Sequence, residues 1–89
     1  MLTQAQKKVL REEFERIQAT LPELPKPVAI RTGCKVSWYE FETEAEAQVA
    51  SEHAKLQAEY YSYLGYDFGY FMGGEVRLLS DGRWEVVFP

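Results

Sequence analysis

His53 is the only histidine in the chain and Cys34 the only cysteine, so two of the residue types most used in catalysis and metal binding occur once each. A single imidazole needs cysteines or carboxylates from elsewhere to hold zinc, and an orienting carboxylate and a pocket to act as a general base. His53 lies on the apolar stripe of a helical pattern, which predicts a hydrogen-bonded core or boundary histidine. Cys34 precedes Lys35, whose charge could lower a thiol pKa. No base stands near it in the sequence, and a buried, inert thiol is the expectation.

Glu40, Glu42, Glu44 and Glu46 alternate where a strand pattern gives way to a helix pattern. Carboxylates in a first helical turn are stabilised by the helix dipole, by about 0.3–1 kcal/mol each. Glu40 and Glu42 extend them into an acidic patch suited to a basic partner. A calcium loop would need ligands on a compact turn around a central glycine, which this spacing lacks. Gly69, Gly73 and Gly74 have no helix N-terminus after them to receive a phosphate. Lys7, Lys8, Arg11 and Arg16 make one side of the first helix basic, interrupted by Glu12, Glu13 and Glu15, with pairs such as Glu12–Arg16 expected. There is no CxxC, serine triad or catalytic carboxylate pair, and no cofactor is expected.

The densest signal is aromatic. Tyr60, Tyr61, Tyr63, Tyr66, Phe68, Tyr70 and Phe71 fall within twelve residues and include five of the six tyrosines. Tyrosine joins a large apolar body to a polar tip, so it favours half-buried sites and interfaces. The run crosses a helix end, a glycine and a strand, so its rings must divide between core and surface.

The elements that position these residues follow from periodicity. Thr3 and Gln6 form a capping box, and Leu10, Phe14, Ile17 and Leu21 then recur on one helical face, predicting a helix over 3–21 stopped by Pro22. A stiff proline-rich connector occupies 22–27. Residues 28–41 read as a hairpin punctuated by Gly33, with Cys34, Val36 and Trp38 on its buried face. Thr43 and Glu46 repeat the capping box before a helix over 44–64. Its bulky stripe (Val49, His53, Leu56, Tyr60) lies beside an alanine stripe (Ala47, Ala50, Ala54, Ala58) suited to close packing on a sheet. Gly65 is placed to end it.

Residues 66–88 read as a meander with strands at 66–72, 75–79 and 83–88 and a turn at Gly73-Gly74. A three-residue Ser80-Asp81-Gly82 loop pairs Leu78 with Trp84 and Val76 with Val86, which gathers Val76, Leu78, Trp84, Val86 and Phe88 on one face. Phe71 joins them. Phe68, Tyr70, Arg77, Leu79, Glu85 and Val87 take the reverse face. The whole is a single α+β domain of order α-β-β-α-β-β-β, with two helices on one mixed sheet of about five strands. A right-handed crossover would make the strands flanking the second helix parallel.

Composition bounds the function. The net charge of −4 disfavours a nucleic-acid binder. Residues 1–35 carry seven Lys/Arg against four Asp/Glu, and residues 36–89 three against ten, a split that suits head-to-tail self-association or an oppositely charged partner. No apolar run is long enough for a membrane span, no secretory signal is visible at the start, and a single cysteine forms no intrachain disulfide, so a cytoplasmic setting is expected. The leading expectation is a non-enzymatic protein-binding module (an adaptor, regulatory subunit or inhibitor), with self-association as a close variant. Its contact residues would be Tyr61, Tyr66, Phe68, Tyr70 and Arg77 on an aromatic-rich sheet face, with Glu40 and Glu42 on an acidic edge. The alternative is a small ligand-binding protein or enzyme with a pocket lined by His53 and tyrosines.

Overall fold

The computed structural model describes residues 1–66 and 73–89. Their elements run α1 (Gln4–Gln18), β1 (Ala29–Thr32), β2 (Ser37–Phe41), α2 (Glu44–Tyr63), β3 (Val76–Leu78) and β4 (Trp84–Phe88). The α+β class is as expected. The sheet of the described residues has four strands rather than five, and it is antiparallel throughout rather than mixed, in the order β1-β2-β4-β3. The expected strand over 66–72, and with it the parallel crossover, falls on residues 67–72 and so lies outside the described residues.

The last strand, β4, is central, paired with β2 on one side and β3 on the other. Val86–Phe88 is apolar without alternation, as suits a strand buried on both faces, and Glu85 through Phe88 are all buried. The β3–β4 register is the one that hydrophobic patterning selects: Val76 faces Val86 and Leu78 faces Trp84. Gly82 takes a φ of +89°, the left-handed position the three-residue loop requires, and Asp81 accepts from the Arg83 backbone N–H at 3.0 Å.

α2 covers one face of the sheet. Ala47, Ala50 and Ala54 have no exposed surface and form the core with Phe41, Val86 and Phe88. The alanine stripe therefore faces the sheet, because small side chains let the helix axis approach the strands. Tyr39 stacks on Phe88 with ring centroids 4.2 Å apart. Phe41 and Val86, both fully buried, contribute about 1.5–3 kcal/mol each.

A second close approach comes from Gly73 and Gly74, at φ +73° and +82°. The Gly74 N–H bonds to the Val87 carbonyl while the Val87 N–H bonds to Glu75, so two residues oppose one, a bulge with glycine in its left-handed position. A Cβ on Gly74 would stand 2.5 Å from Lys55 Cγ and 2.9 Å from the Ser51 carbonyl oxygen. The Ser51 hydroxyl donates to the Gly74 carbonyl. The pair thus docks β3 on α2. Whether the chain also turns there lies outside the described residues.

α1 packs against α2 and touches no strand of the described residues. Thr3 caps it with both reciprocal hydrogen bonds of the capping box in place. It ends at Gln18, three residues before the expected stop. There the Thr20 N–H and hydroxyl both donate to the Ile17 carbonyl, which tightens the last turn before Pro22 can act. At α2 only half the box forms: Glu46 N–H donates to Thr43 Oγ1, while the Thr43 hydroxyl donates to the Glu46 carboxylate instead of the carboxylate reaching back to the backbone.

The face of β2 is opposite to expectation. Phe41 and Tyr39 point to α2, Trp38 lies on the open face, and Cys34 is exposed in the loop between β1 and β2. Pairing with β4 decides this: Tyr39 faces Val86 and Phe41 faces Trp84, so odd positions enter the core. Val36 is buried as expected, but it precedes the strand and owes its position to the loop, where its carbonyl accepts the Gly33 N–H at 2.8 Å.

Candidate functional site

The tyrosines of α2 are positioned by the helix and by how it ends. Gly65, at φ +91°, follows the C-cap Leu64; its N–H bonds to Ser62, and the Tyr66 N–H bonds to the Tyr61 carbonyl at 3.0 Å. This is a Schellman motif, and it brings Tyr66 back over the last turns of the helix. The Tyr61 and Tyr66 rings meet edge to face at 5.9 Å, Tyr60 lies 5.8 Å from Tyr61, and Phe14 of α1 stacks on Tyr60 at 4.6 Å. Four rings therefore run from α1 around the end of α2. Tyr61 is half-buried within that row, whereas Tyr66 is 63% exposed.

Where α1 crosses this end, a cleft opens on each side of it. One, of about 440 Å³, is lined by Leu2, Ala5, Val9, Leu10 and Tyr63 together with Gln6. The other, of about 530 Å³, is lined by Lys7, Lys8 and Arg11 facing Tyr60, Leu64 and Tyr66, with Gln4 at its margin. Val9 and Tyr63 are as exposed as Tyr66. Among the described residues Lys7 and Arg11 have no ion-pair partner, and Lys8 reaches only Glu12, at 3.9 Å. Arg16 pairs with Glu13 rather than with the expected Glu12, holding the Glu13 carboxyl below the ordinary glutamate range by hydrogen bonding. α2 has no cation in its own last turn, so the α1 cations also complement the negative end of its dipole.

The open face of the sheet carries a second arrangement. Glu85 is buried there, its two carboxylate oxygens taken by Arg31 at 3.0 Å and Arg77 at 2.9 Å. The Arg31 guanidinium lies 4.7 Å from the Trp38 ring centroid. Arg83 approaches Glu40 at 3.7 Å. A smaller cleft of about 240 Å³ is bounded by Trp38, Glu75, Arg77, Glu85 and Val87.

The candidate contact residues thus separate. Tyr61 and Tyr66 belong to the α1–α2 end. Arg77 and Glu40 belong to the open sheet face, both engaged in ion pairs. Glu42 is exposed at the start of α2, about 30 Å along a 20-residue helix from Tyr63. One surface uniting the aromatic set with the acidic edge is not formed by the described residues; Phe68 and Tyr70 lie outside them. Val9, beside the Leu10–Phe14–Ile17 stripe of the sequence, belongs with Leu2 and Ala5, at spacings of three and four residues, to a second apolar line on α1. Arg31, Trp38 and Glu85 left no comparable signal, because their meeting depends on strand order.

His53 is buried, and its Nε2 lies 2.6 Å from the Pro22 carbonyl oxygen, to which it donates. It is the hydrogen-bonded boundary histidine expected of its stripe. It ties α2 to the connector and lines none of the three clefts. Cys34 is exposed, a correction to the buried thiol. No group of three metal-ligating side chains occurs among the described residues, and no helix there is long and apolar enough to cross a membrane. No protein-family model, curated protein or solved structure matches the chain.

Proposed function

We propose that this chain is a non-enzymatic protein-binding module that docks through the end where the first half of α1 crosses the last turns of α2. The observation that carries this reading is the joint exposure of Val9, Tyr63 and Tyr66 along two adjoining clefts, with Lys7 and Arg11 beside them. Contiguous apolar surface rimmed by polar groups is the usual mark of an interaction site. Tyrosine at such a rim gives large contact area at low entropic cost, and arginine adds directional hydrogen bonding.

The test is affinity purification of the full chain from its native host, comparing wild type with a Val9→Ser, Tyr66→Ala double variant. Both side chains are exposed, so the variant should unfold at nearly the wild-type temperature. Loss of co-purifying proteins at an unchanged unfolding midpoint is the expected result. Retention of every partner by a folded variant overturns the proposal.

A further inference from the structure

We infer that the partner of the basic, tyrosine-lined cleft is a second copy of this chain, which inserts the acidic junction between β2 and α2; the inference rests on that cleft being a docking surface. The cleft presents Lys7, Lys8 and Arg11 beside Tyr60 and Tyr66. The first turn of α1 contains no acidic residue, so the positive end of its dipole adds to theirs and, with three cations, outweighs the negative end of α2 beside them.

The opposite charge is on the same molecule. Glu42 and Glu44 are exposed and, among the described residues, neither has an ion-pair partner, while the Glu46 carboxylate accepts only the Thr43 hydroxyl. α2 runs from Glu44 to Tyr63, a span of about 30 Å, so the acidic junction and the cleft stand at its two ends. That is several Debye lengths at physiological salt, where the Debye length is about 8 Å, so the two patches cannot neutralise each other within one chain. They can meet between copies. A twofold contact through either patch would set like charge against like, whereas a head-to-tail contact pairs opposite charges at every junction. The exposed ring of Tyr66 adds apolar area beside the charges.

Sedimentation of the full chain tests this, with concentration raised from micromolar towards millimolar at low and at high salt. The expected result is a reversible rise in mass with concentration, weakened by about tenfold or more between ~20 mM and ~500 mM salt. Reversing the cleft (Lys7→Glu with Arg11→Glu) or the junction (Glu42→Lys with Glu44→Lys) should each abolish the rise. Mixing the two reversed chains, or combining all four changes in one chain, should restore it. Because all four residues are exposed, circular dichroism and thermal unfolding should report an intact fold in every variant.

A wild-type chain that stays monomeric at low salt overturns the inference, as does association that survives the single reversals or a mixture that fails to recover. A monomeric wild type whose other partners are still lost with Val9→Ser, Tyr66→Ala would overturn self-pairing alone and leave the docking surface standing.

Discussion

Arg31, on the edge strand β1, donates to Glu85 at 3.0 Å across the intervening strand β2, with its guanidinium over the Trp38 ring. Arg77, on β3 at the other edge of the sheet as described, takes the second oxygen of the same carboxylate. One buried side chain on the central strand thereby braces both edges of the sheet.

The brace makes Glu85 more important than either arginine. Both arginine side chains are more than half exposed, so solvent screening limits each pair to about 0–1 kcal/mol. Arg31→Ala or Arg77→Ala should cost that much, because the remaining arginine still satisfies the carboxylate. Removing both strands a buried charge and should cost clearly more than the two single losses together. Denaturant melts of the two single variants and the double variant measure this coupling, and strict additivity would refute the shared brace.

Gly74 should be less replaceable than Gly65 or Gly82, which share its positive φ. An alanine there adds backbone strain of about 1–2 kcal/mol and drives its Cβ into Ser51 and Lys55. Gly65 and Gly82 have comparable φ values but open space around the missing Cβ, so their alanine variants carry the strain alone. Thermal unfolding of the three variants should rank Gly74→Ala as the most destabilised. Equal losses at all three positions would mean that contact with α2 contributes nothing.

His53→Leu should loosen the connector while leaving the sheet intact. Its cost should be about 1–2 kcal/mol, from the lost hydrogen bond to the Pro22 carbonyl. Hydrogen exchange should rise over residues 19–27 and in α1 more than in β2 or β4. A uniform rise across the chain would place His53 in the general core instead.

Glu13 offers a pH readout on α1. Hydrogen bonding from Arg16 lowers its carboxyl pKa, so the contribution of the pair is present above the unfolded-state value and fades as pH falls through the folded one. An NMR titration should find Glu13 titrating below the other exposed glutamates. Arg16→Gln should return it to their range, and a midpoint indifferent to that change would exclude the pairing in solution.

Local chemistry determined the helices, their caps and the last hairpin. Thr3–Gln6 and Thr43–Glu46 are signals a few residues long, the alanine stripe follows one helical period, and Gly65 ends α2 where its freedom at positive φ is needed. The β3–β4 register followed from the sequence as well, because a one-residue slip would have set Arg77 opposite Val86 in place of Val76. Tertiary structure alone decided the face of β2. Read in isolation, Cys34, Val36 and Trp38 alternate as well as Tyr39 and Phe41 do, and only the pairing of Tyr39 with Val86 breaks the tie. It also decided that β4 is central, that Arg31 and Arg77 converge on Glu85, and that the tyrosines and the acidic junction stand at opposite ends of α2. Each of these depends on which distant segments become neighbours, and long-range pairing leaves no period in a single strand or helix to be read.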